Sequence, residues 1–316
     1  MPGSDVAEWF KVVLGELDVP FVPELPGRGA PSSLIGRTLG MVTDLGADLQ
    51  PDGWRVGVGQ GADQRRARSL LAEDLDRVEE IWADAHAGPL KIQVTGPLTL
   101  AASVEHPRGE KMLADPGARR DLADALGAAV ERHVADVRRR FGTADVVVQV
   151  DEPRIRAVLD AQVPTASGFR RYRSVDAPEA DDLLRRVIAP IEAGGATPVV
   201  HVCSAEVPVE LLRGAGFAAI SFDLSLAQDR NGWPEDVWAE AFDAGTDLWV
   251  GTTADRDAVN RVLAWFGRFG FGPDAIGERL VVSPPCGLAG SSPEAARQTI
   301  TRTAELARRL DDRRSD

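Results

Sequence analysis

The chain has 316 residues, 44% hydrophobic and 27% charged, which is the balance of a globular protein long enough to bury a sizeable core. Its formal net charge of −13 at pH 7 leaves no basic excess to neutralise phosphates, which argues against a nucleic-acid partner. No apolar run reaches the roughly 18 residues of a membrane span, and no basic-then-apolar leader opens the sequence, so we expect a cytoplasmic protein without a membrane partner.

Short β-rich runs alternate with amphipathic helical stretches along the sequence. The predicted strands are 21–25, 91–95, 146–151, 198–203, 219–224, 248–252 and 280–283. The predicted helices are 6–17, 64–87, 116–140, 181–193, 207–214, 233–244, 255–269 and 293–310. Because the strands read as apolar throughout and are each followed by a helix, the pattern predicts a parallel sheet covered on both faces. No linker or repeat interrupts residues 1–316, which favours a single domain.

Repeated β-then-α units of this kind fit either a doubly wound sheet or a closed (β/α)8 barrel of the TIM type. No Gly-x-Gly-x-x-Gly turn follows an early strand, which weighs against a dinucleotide fold. Polar residues instead follow the strands at their C-terminal ends, where barrel enzymes gather their active-site groups. They are Glu24, Thr95, Asp151, His201, Cys203, Asp223 and Cys286. We therefore favour an α/β barrel.

Seven strands are evident in the sequence, one fewer than a closed barrel needs. The helix 6–17 starts too early for a strand to precede it. We expect the first strand to be missing at the N-terminus. A sheet with exposed edges there should show a gap or a substituted strand.

The two cysteines of the chain stand at the ends of two Val-rich runs. His201 and Cys203 are two residues apart on a predicted strand, so their side chains leave the same face. With Cys286 at the end of another strand, one imidazole and two thiolates predict a zinc site. Asp223, the acidic residue closing its own run, is the natural fourth ligand. Two buried inert cysteines, or a single disulfide, are the alternatives.

Carboxylates close two further runs. Glu152, just before a proline, is explained by a helix N-terminus. Asp151 points to the other face and is expected to face a site, because a carboxylate ending an apolar strand is costly unless it is paired. Glu24 either joins the same site or pairs with Arg28. Thr95 begins a strand-to-helix turn whose hydroxyl and amides either bind a substrate carboxylate or cap the helix.

Four motifs, in order and with similar spacing, resemble the catalytic domain of the cobalamin-independent methionine synthases, a family within the uroporphyrinogen decarboxylase-like barrels. They are Val94-Thr95-Gly96-Pro97, Gln149-Val150-Asp151-Glu152-Pro153, His201-Val202-Cys203 and Pro285-Cys286-Gly287-Leu288. The resemblance covers nearly the whole chain. It looks most like the short, single-domain actinobacterial members, which lack the N-terminal duplicate barrel.

The resemblance implies a (β/α)8 barrel with one catalytic zinc ion at its rim. His201, Cys203 and Cys286 match the family's zinc ligands, and Asp223 falls where the long enzymes carry a glutamate. Glu24 and Asp151 match the acids that hold the amino group of homocysteine. The implied reaction transfers a methyl group to the homocysteine thiolate on zinc and gives methionine.

Two departures from the family bear on the methyl donor and on the N-terminus. The segment 249–255 lacks the histidine thought to help protonate the departing folate, so the donor is either methylfolate or a methylcorrinoid delivered by a corrinoid protein. Family members also carry a Gly-Ser-bearing strand just upstream of the segment that matches 2–5. The alternatives are a corrinoid-dependent methyltransferase for another thiol, and a non-catalytic zinc- or methionine-binding relative.

Overall fold

A computed structural model describes residues 1–82, 88–143, 145–228 and 235–315. Its strands are β1 (Gly46–Gln50), β2 (Gly53–Gly57), β3 (Leu90–Thr95), β4 (Val146–Asp151), β5 (Ala196–Val202), β6 (Ala219–Asp223), β7 (Asp247–Gly251) and β8 (Leu280–Ser283). β1 and β2 form a separate antiparallel pair, whereas β3 to β8 form a six-stranded parallel sheet in sequential order. Six of the seven predicted runs are therefore strands of one parallel sheet, and the mixed α/β class is confirmed.

Helices separate the strands. They are α1 (Val6–Glu16), α2 (Leu34–Met41), α3 (Ala62–Trp82), α4 (Pro97–Ser103), α5 (Pro116–Phe141), α6 (Ile155–Leu159), α7 (Ala177–Ala193), α8 (Val209–Ala215), α9 (Leu224–Gln228), α10 (Glu235–Asp243), α11 (Ala258–Gly267), α12 (Pro273–Ile276) and α13 (Pro293–Ser315). The end of the predicted helix 64–87 and the start of 233–244 lie outside the described residues. Among the described residues, no helix combines the length and the apolar character that crossing a membrane requires.

The longest helix, α5, shows how local sequence sets these boundaries. The Asp115 side chain accepts a hydrogen bond from the Ala118 N–H at 2.9 Å, and Pro116 occupies the first helical position. Three arginines occupy the last turn, near the negative end of the helix dipole. Gly142 then ends the helix with φ 60°, a left-handed conformation that glycine adopts without strain.

The sheet has one apolar face and one polar face, which differs from the uniformly apolar strands of the prediction. The side chains that pack with the helices are buried aliphatic and aromatic groups: Leu90, Ile92, Val94, Val146, Val148, Val150, Val200, Val202, Ile220, Phe222, Leu248 and Val250. The alternate positions of the same strands carry polar groups among apolar ones: Lys91, Gln93, Gln149, His201 and Ser221 share this face with Val147, Val199, Ala219, Trp249 and Val281. One face is therefore buried in hydrocarbon, and the other, called the polar face below, offers polar side chains for chemistry.

The predicted strand 21–25 is reduced to a single bridge beside β3. The Lys91 N–H donates to Pro20 O at 2.8 Å, and the Val22 N–H donates to Lys91 O at 3.0 Å. Beside this segment, the Met1 ammonium donates to Glu24 O. At the other edge of the sheet, β8 is paired with β7 only, within the part of the chain that the structure describes. The closed (β/α)8 barrel is thus not established, and the single domain over 1–316 stays a prediction.

Candidate metal centre

Three side chains predicted as zinc ligands converge. His201 lies on β5, Cys203 directly follows it, and Cys286 lies in the segment after β8. One ligand atom from each lies within 4.8 Å of the others. In a flat sheet, β5 and β8 would be about 14 Å apart, at ~4.8 Å for each of the three strand spacings between them. The convergence therefore requires the sheet to curl around its polar face.

The imidazole of His201 is held by a neighbouring strand. Its Nδ1 lies 3.0 Å from the Ser221 hydroxyl oxygen, and the two residues are paired in register between β5 and β6. With Nδ1 occupied, Nε2 is the nitrogen free to bind a metal ion, an arrangement that metalloproteins use to orient ligating histidines. Ser221 was not predicted as a site residue. Its signal was a polar residue two positions before Asp223, on the same face of an otherwise apolar strand.

Both cysteines are free thiols; Cys203 is half-buried and Cys286 is exposed. Hydrogen bonds from the Cys203 thiol and from His201 lower the pKa of Cys286 to about 4. The contact with Cys286, together with burial, raises the pKa of Cys203. The pair therefore favours one thiolate beside one thiol, and a thiolate is the form that binds a soft divalent cation.

Asp223 closes β6, as the sequence suggested, but its carboxylate lies outside the converging group. Its Oδ1 accepts hydrogen bonds from the Ser225 N–H at 2.9 Å and from the Ser225 hydroxyl at 2.7 Å. These bonds fix the turn into α9. The role of Asp223 as a fourth ligand stays a prediction.

Asp151 lies next to the candidate ligands. It is paired in register with His201, and it accepts a hydrogen bond from Gln149 Nε2 at 2.7 Å. Burial raises the pKa of Asp151, while the charge of His201 and the Gln149 bond oppose that rise. This carboxylate is buried, faces the polar side of the sheet, and belongs to the same neighbourhood as the two sulfurs.

Glu24 reaches the same site from the segment 21–25, which lies beside β3. Its Oε1 lies 3.5 Å from Arg37 Nε, whereas Arg28 pairs with Asp74 at 2.8 and 2.5 Å. The alternative that Glu24 pairs with Arg28 is therefore wrong. Burial raises the pKa of Glu24, the Arg37 charge lowers it, and the charge of Asp151 raises it further. The two predicted acids are thus electrostatic neighbours.

Glu152 and Thr95 have structural partners. The Glu152 carboxylate accepts hydrogen bonds from the Leu98 N–H at 2.9 Å, the Thr99 N–H at 2.8 Å and the Thr99 hydroxyl at 2.6 Å. A helix N-terminus does explain Glu152, but the helix is α4. The Thr95 hydroxyl donates to Leu34 O at 2.8 Å and is buried. Substrate binding by Thr95 stays a prediction.

No protein-family model and no curated protein matches the sequence. Among solved structures, a B12-independent methionine synthase from Shewanella sp. W3-18-1 in complex with selenomethionine is 17% identical, with a TM-score of 0.49, over 75% of this chain and 66% of that one. A D-psicose 3-epimerase from Clostridium cellulolyticum H10 is 10% identical over 99% and 93% of the two chains, with a TM-score of 0.42.

The IOLI protein with a binding zinc atom is 12% identical over 79% of this chain and 85% of that one, with a TM-score of 0.41. The chain thus spans just under two thirds of the length of the methionine synthase that it resembles. At these identities and TM-scores, the three likenesses identify no family.

Proposed function

We propose that this chain is a zinc-dependent S-methyltransferase that methylates the thiol of homocysteine to form methionine. The observation that supports it is the convergence of His201, Cys203 and Cys286 within 4.8 Å. One imidazole and two sulfurs are a soft donor set that suits zinc, and because these three converge without Asp223, a fourth position is left for a substrate, as in catalytic zinc sites. Zinc bound there would keep a substrate thiol deprotonated at neutral pH.

Two carboxylates of the chain are suited to bind the amino group of the substrate. Asp151 and Glu24 are carboxylates of one polar neighbourhood, and Asp151 is paired in register with the ligand His201. An ammonium group between two partly desolvated carboxylates makes charge-assisted hydrogen bonds, the strong class of such bonds. We infer that these two acids hold the substrate ammonium while its sulfur lies at the metal.

The reaction is a displacement at the methyl carbon, and the proton of the substrate thiol passes to solvent before the sulfur attacks. The substrate sulfur donates an electron pair to the methyl carbon, and the bond between that carbon and the donor breaks with its electrons remaining on the donor. The residues around the site hold the substrate sulfur in the orientation needed for attack. This lowers the entropic part of the reaction barrier. The donor we propose is methylfolate or a methylcorrinoid carried by a corrinoid protein.

Metal analysis of chelator-free protein tests the first half of the proposal. The parent should bind about one zinc ion per chain, since its three ligand atoms already converge. Cys203→Ser and Cys286→Ser should each weaken zinc binding at least about tenfold, because each replaces a thiolate by a hydroxyl. Ser204→Ala, a neighbouring substitution outside the ligand set, is the matched control. A parent that binds no zinc when zinc is supplied would overturn the proposal.

Turnover tests the second half. The zinc-loaded protein is mixed with homocysteine or coenzyme M, and with methylfolate or methylcobalamin, and methylated thiol is measured. Methionine formation supports the proposal. Methylation of coenzyme M alone identifies a methyltransferase for another thiol. Tight thiol binding without transfer from either donor identifies a non-catalytic relative, and each of these two outcomes overturns it.

A further inference from the structure

Lys91 carries the one ammonium that the described strands bring to the polar face of the sheet beside Glu24 and Asp151. Its Nζ donates to Gln149 Oε1 at 3.1 Å and lies 3.4 Å from Gln93 Oε1. It also lies 5.0 Å from the centre of the Phe21 ring. Within the described part of the chain, Lys91 forms no direct ion pair with either acid.

An ammonium group can donate hydrogen bonds but cannot accept them. Each glutamine near Lys91 must therefore turn its oxygen towards the lysine and its NH₂ group away from it. The structure has this arrangement at both glutamines. Gln149 Nε2 donates to Asp151 Oδ1 at 2.7 Å, and Gln93 Nε2 donates to Val22 O at 2.7 Å. The lysine thus fixes the orientation of each amide, so that the NH₂ group points away from the lysine.

The two amides act on the two predicted substrate acids in different ways. Gln149 Nε2 donates directly to the Asp151 carboxylate, whereas Gln93 Nε2 donates to the backbone carbonyl of Val22, two residues before Glu24. The Gln149 amide therefore occupies part of the Asp151 carboxylate and leaves its remaining lone pairs for another donor. If the Gln149 amide were reversed, its oxygen would face the carboxylate of Asp151; if the Gln93 amide were reversed, the segment that carries Glu24 would lose this hydrogen bond.

We propose that Lys91 is a positioning residue that, through Gln149 and Gln93, fixes the two carboxylates Asp151 and Glu24 for the ammonium group of an amino-thiol substrate. This inference rests on the proposed function, since it assumes a thiol substrate at the neighbouring metal site. It adds that selectivity for the amino group depends on a lysine that does not touch the substrate. Loss of Lys91 should therefore impair recognition of the amino group more than recognition of the thiol.

The test compares homocysteine with 4-mercaptobutanoate, which is homocysteine without its amino group. Binding of each thiol to the zinc-loaded protein is measured by calorimetry, and transfer by kcat/KM. The parent should prefer homocysteine by about tenfold or more, as expected for hydrogen bonds to charged groups. Lys91→Met should remove most of that preference while zinc content and binding of 4-mercaptobutanoate stay within about twofold of the parent.

Three further variants sharpen the comparison. Gln149→Leu should lose the preference as Lys91→Met does, and the double variant should lose little more, because both changes break one chain of contacts. Lys111→Met is the matched control. It removes another partly buried ammonium, which lies 3.2 Å from Glu105, and it should keep the preference. Gln149→Leu also serves if Lys91→Met does not fold.

Several results would overturn the inference. It is overturned if Lys91→Met weakens binding of both thiols equally, if that variant keeps the preference of the parent, or if the parent has no preference. None of these three results contradicts the proposed methylation of a thiol. A parent that takes up zinc but binds neither thiol would overturn the inference and the proposed function together.

Discussion

Ser221 holds the imidazole of His201, a candidate metal ligand. Its hydroxyl oxygen lies 3.0 Å from His201 Nδ1, and the side chain is buried, so water cannot easily replace it. We expect Ser221→Ala to lower zinc affinity about 10- to 100-fold, the usual effect of removing such a partner. Competition with a chromogenic chelator measures the zinc affinity, with Ser204→Ala, a change at a partly buried residue outside the converging group, as control. Unchanged affinity would mean that Ser221 does not orient the ring.

Polar residues near the ends of the predicted strands were identifiable from the sequence, whereas polar residues elsewhere in the strands were not. His201, Cys203 and Cys286 were identifiable because polar groups stand out where apolar runs stop. Lys91, which opens the predicted run 91–95, and Gln149, which was noted only within a motif, were given no role because their runs were read as apolar throughout; their alternation with aliphatic residues was the available signal. No local spacing could have indicated the contact of Arg37 with Glu24, since it depends on how α2 packs.

At the scale of elements, Glu152, which directly follows β4, joins that strand to the first turn of α4 through hydrogen bonds from Leu98 and Thr99. Burial raises its pKa from 4.5 to about 7, although the hydrogen bonds from Thr99 and Leu98 lower it. Between these two values, the folded protein holds a proton that the unfolded chain has lost. The free energy of unfolding contributed by this group is therefore fully present below about pH 4.5 and is lost as the pH rises through about 7.

We expect the stability of the parent to fall over this interval by up to about 1.4 kcal/mol per pH unit from this group, and Glu152→Gln to remove that slope. Urea unfolding at a series of pH values measures it. Glu210→Gln, an exposed change on α8, should keep the slope of the parent. A parent and a Glu152→Gln variant with parallel pH profiles would show that Glu152 does not titrate in this range.

Gly251 sets the distance between β7 and the segment that carries Cys286. A Cβ at this position would lie 2.8 Å from Phe222 O, 3.0 Å from Pro285 Cα and 3.1 Å from Pro284 O. These neighbours are backbone or ring atoms that cannot rotate away. Gly251→Ala should therefore displace the Cys286 segment, weaken zinc binding, and cost about 1–3 kcal/mol of stability.

Gly267, at the end of α11, offers the matched control for that substitution. A Cβ there meets nothing within 4 Å, so Gly267→Ala should be neutral or stabilising by up to about 1 kcal/mol. Thermal unfolding and the chelator competition report the two effects separately. If Gly251→Ala binds zinc as the parent does, the close approach at this glycine does not position Cys286.

For the whole molecule, the alternation of strands and helices predicted the parallel sheet but could not decide closure. Closure depends on whether the two outer edges of the sheet form hydrogen bonds with each other or with further strands. Such pairing joins residues that are far apart in the sequence. The segment 21–25 contains Pro23 and is flanked by Pro20 and Pro26. Since proline lacks the N–H that a ladder needs, this segment makes one bridge with Lys91 where a full strand was predicted.

The interior strand β4 and the edge strand β8 should differ in local stability. The Val146, Val148 and Val150 side chains of β4 are at most 1% exposed, whereas all four residues of β8 are only partly buried. Because local opening is easiest where few apolar groups are buried, amide hydrogens of β8 should exchange faster than those of β4 in metal-free protein. Hydrogen exchange followed by mass spectrometry resolves the two strands.

Adding zinc should slow exchange in β8 and in the segment after it, because binding through Cys286 ties this edge to His201 on β5 and to Cys203 just after that strand. β4 should change little, since it is already buried between β3 and β5. Cys286→Ser provides the control, as it should lose the zinc effect while keeping the fast exchange of β8. If β8 in the metal-free parent is as protected as β4, the edge is already closed, and metal binding is not what joins the last strand to the centre of the sheet.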